Sequence, residues 1–170
     1  NQDRLVKLED MFSDTAYYYF DVNEWEVIID HYLNTLRLEK AVKALDFAQY
    51  QHPNSAELNL KKAEVFMEQN ELDEALSVLK NLDEIYPFNP DIFIGLGDVY
   101  SRKTEHYSAI INYKKSLELC EEGKEEIYIQ LAAECQSMEK PAQAIYWLKV
   151  MLNEFPDSVE GLYEMAFCYE

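Results

Sequence analysis

The sequence predicts an all-α fold, an α-solenoid of stacked antiparallel helix–turn–helix hairpins, and three observations carry that expectation. The first is spacing. Between Pro90 and Leu119, residues Phe93, Leu96, Gly97 and Tyr100 fall at i, i+3, i+4 and i+7, which is one face of a helix. A polar turn follows around Arg102 to Glu105, and Ala109, Ile110, Tyr113 and Leu117 then draw a second stripe. The second observation is recurrence. The residue that opens the first stripe of each unit recurs at Trp25, Asn59, Phe93, Tyr128 and Leu162, in steps of 34, 34, 35 and 34 residues. The alanine of the second helix recurs at Ala41, Ala75, Ala109 and Ala144, in steps of 34, 34 and 35. Two independent markers thus keep one period and share one slip, near Gly123. The third is composition: 4 Gly and 5 Pro in 170 residues leave few breakers and favour long helices. Such a stack needs no single round core, because each hairpin buries its face on its neighbours.

Taken in order, residues 1–21 precede the repeats as a capping and entry segment. Leu5, Leu8 and Phe12 have helical spacing and predict a short capping helix, since the end unit of a stack otherwise exposes its apolar side. Tyr17-Tyr18-Tyr19-Phe20 reads as an extended segment packed on the first hairpin, with stacking on a ligand as the alternative. The repeats follow at about 22–55, 56–89, 90–124 and 125–158, with a partial fifth at 159–170. Their helix pairs are expected at 22–36 and 38–51, 56–69 and 72–85, 90–103 and 106–120, 125–138 and 141–154, with a last helix over 158–170. Asn89 is a good N-cap, and Pro90 and Pro141 suit the first helical position, where a missing N–H costs nothing. Asp157 or Ser158 caps the last helix. Pro53, Pro87 and Pro156 close three units. Gly97 in mid-helix costs about 1 kcal/mol relative to Ala, and its missing Cβ lets the second helix come close enough to offset that loss. Leu162, Met165, Ala166 and Tyr169 have no second helix in this sequence. Their stripe is apolar where a terminal cap should be polar, so the chain is expected to continue past Glu170, and the exposed end is expected to pair with another molecule.

A helix–turn–helix period of 34 residues is the signature of the tetratricopeptide repeat, and the chain resembles that family, in its bacterial form, over residues 22–170. Trp25, Ile28, Tyr32, Ala41, Leu45 and Pro53 match its pattern in the first unit, and Ala63, Phe66, Ala75, Leu79 and Pro87 in the second. Phe93, Leu96, Gly97, Tyr100, Ala109 and Tyr113 match in the third, and Tyr128, Leu131, Ala132, Ala144, Leu148 and Pro156 in the fourth. There are departures. Ile29 stands where the family has Gly or Ala, which predicts a splayed first hairpin. Asn59 and Lys62 weaken the start of the second unit, Glu121 replaces a closing proline, and Cys135 replaces an aromatic.

The resemblance implies a right-handed superhelix whose first helices line a concave groove, and a non-catalytic role as a protein–protein interaction scaffold. Carried over residue by residue, the peptide-binding groove comprises Asp30, Glu57, Leu60, Glu64, Asp91, Ile94, Asp98, Glu126, Ile129 and Tyr163. Leu60, Ile94, Ile129 and Tyr163 form an apolar track. Glu57, Asp91, Glu126 and Glu160 form one acidic row, and Asp30, Glu64 and Asp98 a second. Acids of the first row also sit in the first helical turn, where the dipole favours them in any protein. For the second row the plain alternative is general surface acidity. Members that clamp the terminal carboxylate of chaperone peptides use Lys, Asn and Arg along this wall, and the acids here would repel that ligand.

The net charge of −18, from 33 acidic and 15 basic residues, repels phosphate backbones and anionic lipid, so nucleic acid is excluded as a partner and a basic protein or peptide is favoured. No run of about 18 apolar residues exists to span a membrane. Cys120, Cys135 and Cys168 are an odd set, expected as small buried hydrophobes in a reducing compartment. That reading places the chain in the cytoplasm, with the periplasm open because the sequence begins at Asn1 rather than Met. His31, His52 and His106 have no metal spacing, Gly95-x-Gly97 lacks the rest of a dinucleotide loop, and no nucleophile or phosphate-loop motif is present. No cofactor and no enzymatic activity are expected. Two other roles stay open: a structural segment of a larger multi-repeat assembly protein, and a regulatory arm of an enzyme or sensor.

Overall fold

A computed structural model describes residues 2–13 and 15–168; Tyr169, expected in the last stripe, lies outside the described residues. Among the described residues there are ten α-helices and no strand: α1 (Gln2–Phe12), α2 (Val22–Asn34), α3 (Leu38–Gln51), α4 (Ala56–Glu68), α5 (Leu72–Ile85), α6 (Pro90–Arg102), α7 (His106–Leu119), α8 (Lys124–Ser137), α9 (Pro141–Glu154) and α10 (Val159–Phe167). The chain divides into two compact units, Asn1–Leu82 and Asp83–Glu170.

Two different devices start and stop these helices. Four of the five helices that open a repeat are capped by side chains, α8 being the exception. Asp21 and Glu24 form a reciprocal capping box at α2, Ser55 accepts from the Leu58 amide at α4, Asn89 caps α6 ahead of Pro90, and Ser158 accepts from the Gly161 amide at α10. Tight turns inside the hairpins instead place one residue in the left-handed region: Leu36, Asn70, Thr104 and Glu139, with φ of 56°, 61°, 59° and 57°. At each, the backbone closes the helix C-terminus with two nested hydrogen bonds. Leu36 N–H donates to the Leu33 carbonyl and Arg37 N–H to that of Tyr32, a pattern repeated at 70–71, 104–105 and 139–140. This is the Schellman arrangement, which glycine usually serves because it has no Cβ. Here none of the four positions is glycine, and the recurring turn is held by its hydrogen bonds.

In unit 1, one apolar cluster joins Leu8 and Met11 of α1, Phe20 of the entry segment, Trp25, Ile28, Ile29 and Tyr32 of α2, and Ala41, Ala44, Leu45 and Ala48 of α3, with Leu58 and Val65 of α4. The expected capping helix is α1. It is tied down by Arg4 to Glu24 at 2.9 Å and by Glu9, which pairs with Lys40 and accepts from the Tyr32 hydroxyl. Hydrogen bonding and the charge of Lys40 hold the Glu9 carboxyl below the usual range against the opposing effect of burial. Ile29 is fully buried in this cluster, which also holds the small Ala44 and Ala48 of α3. The entry segment is pinned by Gln51, whose amide donates to the Tyr18 carbonyl at 2.7 Å and accepts from Phe20 N–H and the Trp25 indole.

In unit 2 one cluster joins Ala109, Tyr113, Ile127 and Leu131, and another joins Tyr128, Ala132, Cys135, Ala144, Leu148 and Met151. Gly97 marks a close approach of two helices. A Cβ there would lie 2.3 Å from Cε1 of the Tyr113 ring, so the ring rests on the α6 backbone. The alanines that set the period, Ala41, Ala75, Ala109 and Ala144, are all completely buried.

Two outcomes follow from these contacts. Leu36 is 87% exposed and left-handed, so Leu36→Gly relieves Cβ strain with little lost packing. It should raise stability by about 1 kcal/mol, read as a higher urea midpoint at unchanged m-value. Gly97→Ala should lower stability by about 1–3 kcal/mol through overpacking on Tyr113, despite alanine's better helix propensity. Part of that loss should return in the Gly97→Ala/Tyr113→Leu double variant, measured the same way.

Candidate interaction surface

The residues carried over to the groove wall lie on the helices that open each repeat: Asp30 on α2, Glu57, Leu60 and Glu64 on α4, Asp91, Ile94 and Asp98 on α6, Glu126 and Ile129 on α8, and Tyr163 on α10. Their surroundings differ between the units, and each unit is taken alone.

In unit 1 the second acidic row is already engaged. The Lys61 ammonium stands 2.8 Å from Asp30 Oδ1 and 2.9 Å from Glu64 Oε2, with its side chain only 17% exposed. Burial works to lower the Lys61 pKa, but hydrogen bonding and attraction from the two carboxylates outweigh it and raise the pKa above the ordinary lysine value. Nearby, burial holds the Glu26 carboxyl above its usual range; Lys61 opposes that shift, and Glu57, Asp30 and Glu64 reinforce it. Glu57 belongs to the start of α4. Its own backbone N–H and the Ser55 hydroxyl, 2.7 Å away, lower its pKa, which is the helix-start role anticipated for that row. Leu60 is half-buried.

In unit 2 the chain brings three of the carried-over residues together. Ile94, Asp98 and Glu126 line a cleft of about 90 Å³ with Tyr113, Gly123, Ile127 and Gln130. Tyr113 is among its lining residues. The Tyr113 hydroxyl donates to Asp98 Oδ1 at 2.7 Å, and burial, with the negative charge of Asp98, pushes its pKa far up. Gly123, with φ of 74°, begins α8 without a side-chain cap and leaves the mouth of the cleft uncovered. Asp91 is exposed in the first turn of α6, Ile129 packs beside the Tyr128 cluster, and Tyr163 stands 71% exposed on α10.

Two sets of residues escaped the sequence reading. Lys61 is one, although its spacing three residues before Glu64 was a readable signal. The other is a polar network in unit 2. The carboxylate of Glu134, almost completely buried on α8, accepts from the Ser101 hydroxyl of α6 and lies 2.7 Å from His106 Nδ1 of α7. The signal for Glu134 was positional. One and two repeats earlier the same register holds Val99 and Val65, both buried. Among the described residues no group of His, Cys, Asp and Glu is placed to hold a metal ion, and no helix is long and apolar enough to cross a membrane. Cys120, Cys135 and Cys168 are free thiols; Cys135 is buried, the others half-buried.

A sequence model described as tetratricopeptide repeat matches residues 36–100. No curated protein matches the chain. Among solved structures, it is similar to TTC0263, a thermophilic TPR protein of Thermus thermophilus, with 20% identity and a TM-score of 0.78 over 88% of this chain and 81% of that one. It is similar to pilF of Pseudomonas aeruginosa, with 19% identity and a TM-score of 0.72 over 86% of this chain and 66% of that one. YrrB, described as a TPR protein with an unusual peptide-binding site, matches at 21% identity and a TM-score of 0.60 over 74% of this chain and 64% of that one. Residues 36–100 thus carry the tetratricopeptide-repeat match, and the chain shares the all-α helical-repeat solenoid fold of these structures.

Proposed function

We propose that the chain is a non-catalytic scaffold for protein–protein interaction, and that the α6–α8 wall of unit 2 holds a basic, partly apolar segment of a partner. One observation carries the reading: a cleft lined both by the apolar Ile94 and Ile127 and by the acidic Asp98 and Glu126. Its volume suits the tip of one side chain, an apolar stem capped by a positive charge. In unit 1 the Lys61 ammonium lies between Asp30 and Glu64. YrrB, with its peptide-binding site, supports the view that this fold can hold a peptide. The free thiols fit a reducing compartment, and the cytoplasm is the corresponding proposal.

A second reading, a structural segment of a larger assembly, has support in α10, where Leu162, Tyr163 and Phe167 are exposed. The two readings separate experimentally. A ¹⁵N-labelled chain titrated with an amphipathic Lys/Leu peptide should show saturable shifts at the Ile94, Gly123 and Gln130 amides. Glu126→Lys with Asp98→Asn should weaken that binding about tenfold, the worth of one or two charge-assisted contacts. Shifts confined to other residues, or indifference to the charge changes, would refute the cleft. For the second reading, sedimentation velocity should show concentration-dependent association that Tyr163→Lys abolishes; a monomer throughout the micromolar range would dismiss it.

A further inference from the structure

We infer that unit 2 carries a second recognition surface, on α7 and α9, for an acidic and partly apolar segment of a partner protein, formed where Lys114, Lys140 and Lys149 stand among Tyr107, Ile111 and Tyr146. The sequence singles these two helices out. No Asp or Glu occurs from 106 to 117 or from 140 to 153, where the average of 33 acids in 170 residues would place about five. Even the first turns of α7 and α9 carry no acid, although the helix dipole favours one there and α3 and α5 have them. Tyr107 and Ile111 are each 66% exposed and Tyr146 58% exposed.

The lysines are fixed on this surface by printed geometry of its aromatic rings. The Lys140 ammonium donates to the Tyr107 hydroxyl at 2.8 Å and lies 4.6 Å from the centre of that ring, which ties the start of α9 to the start of α7. The Lys114 ammonium reaches from α7 to within 5.5 Å of the Trp147 ring of α9, and the Tyr146 ring meets Trp147 edge-on at 5.1 Å. Lys149 is exposed three residues after Tyr146, on the same helix face. It takes the register of Lys114 one repeat on, as Tyr146 takes that of Ile111. Among the described residues none of these three lysines pairs with a carboxylate. Lys115, by contrast, is turned to Asp83 and to the Phe93 ring. Glu154, the one acid of α9, is engaged by Lys124 at 3.6 Å and by the Tyr128 hydroxyl at 3.1 Å. The exposed carboxylates of Glu105, Glu118 and Glu139 stand at the ends of the two helices.

Charge complementarity selects the occupant. Three ammonium groups without counter-charges call for carboxylates. Lys140 keeps two N–H donors after bonding Tyr107, and the Tyr107 hydroxyl, having accepted, keeps its own proton to donate. Both can serve one carboxylate. Ile111 and Tyr146 offer apolar area between the charges, so the segment carries apolar side chains as well. The net charge of −18 acts against anions at long range. Screening confines that field to a Debye length of about 8 Å, so a short acidic segment is governed by the lysines beneath it, whereas a long polyanion also meets Glu105, Glu118 and Glu139. This surface lies on other helices than the α6–α8 cleft, takes ligands of opposite charge, and stands or falls apart from it.

The test uses the whole ¹⁵N-labelled chain and three amphipathic peptides of equal length, Glu/Leu, Gln/Leu and Lys/Leu, with a single-stranded oligonucleotide as a fourth probe. The Glu/Leu peptide should give saturable shifts at the Tyr107, Ile111 and Tyr146 amides and at the Tyr107 and Tyr146 rings. Lys114→Gln with Lys149→Gln should reduce its affinity about fivefold, and Lys114→Glu with Lys149→Glu should abolish binding. Both positions are exposed, so amides away from α7 and α9 should keep their positions in the free variants. Glu126→Lys should leave this binding unchanged while it weakens the Lys/Leu peptide at the α6–α8 cleft. Equal binding of the Gln/Leu peptide would make the face a plain apolar one. Equal binding of the Lys/Leu peptide at these amides would deny the lysines their role, and tighter binding of the oligonucleotide would make the ligand a nucleic acid. The absence of saturable shifts would remove the surface; any of the four overturns the proposal.

Discussion

The structure depends on how closely two helices of a hairpin can lie. Helix axes pack 8–10 Å apart, and the side chains at the crossing decide where in that range they settle. At Ala41, Ala75, Ala109 and Ala144 the second helix offers only a methyl group, and all four are sealed from water. The partner helix adjusts its bulk to suit. In the third repeat Gly97 lets the Tyr113 ring lie on the α6 backbone. In the first, Ile29 shares a buried cluster with Ala44 and Ala48. The seam thus keeps its volume while its residues change, as dense packing requires. With the seam fixed, the outer faces of the helices are set as well, and every candidate recognition residue on a helix stands on one of those faces.

Most of the helix layout was legible in the sequence because it rests on apolar spacing and on N-cap chemistry, both of which are local. Asn89–Pro90 and Ser158 start their helices where the sequence suggests. The first hairpin was expected to splay at Ile29; that residue is wholly buried, in a cluster that also holds Ala44 and Ala48 of α3. The left-handed turns were not legible either. Of Leu36, Asn70, Thr104 and Glu139, only asparagine advertises that conformation. The two backbone hydrogen bonds of each turn outweigh the Cβ penalty, which is about 1–2 kcal/mol. What did point to them was position, for the four residues keep the period of the alanine seam.

The charged wall was legible in sign but not in pairing. Counting acids along the first helices makes Asp30, Glu64 and Asp98 look equivalent. Yet Asp30 and Glu64 share one half-buried lysine, and Asp98 accepts from a buried tyrosine hydroxyl. Glu57 is held by the start of its own helix. A carboxylate's partner is fixed by packing, and it can stand far away in sequence, as it does for Asp30 and Lys61. Buried polar groups are the hardest of all to foresee. Glu134 replaces a valine of the register, and only the placement of Ser101 and His106 from neighbouring helices makes its burial tolerable.

These pairings bear on how an acidic repeat protein can be selective. A net charge of −18 attracts any basic segment over a Debye length of about 8 Å at physiological ionic strength, which speeds encounter without discriminating among partners. Discrimination requires places where a carboxylate is set against an apolar wall, so that a cation is bound only if its stem also fits. Carboxylates engaged by Lys61 or by helix starts contribute field but little fit. The Asp98–Glu126 cleft combines both features, built on helices whose positions the alanine seam has already fixed. Preorganisation of this kind lowers the entropy lost on binding, which is how small clefts on a rigid repeat can contribute specificity that the diffuse charge alone does not supply.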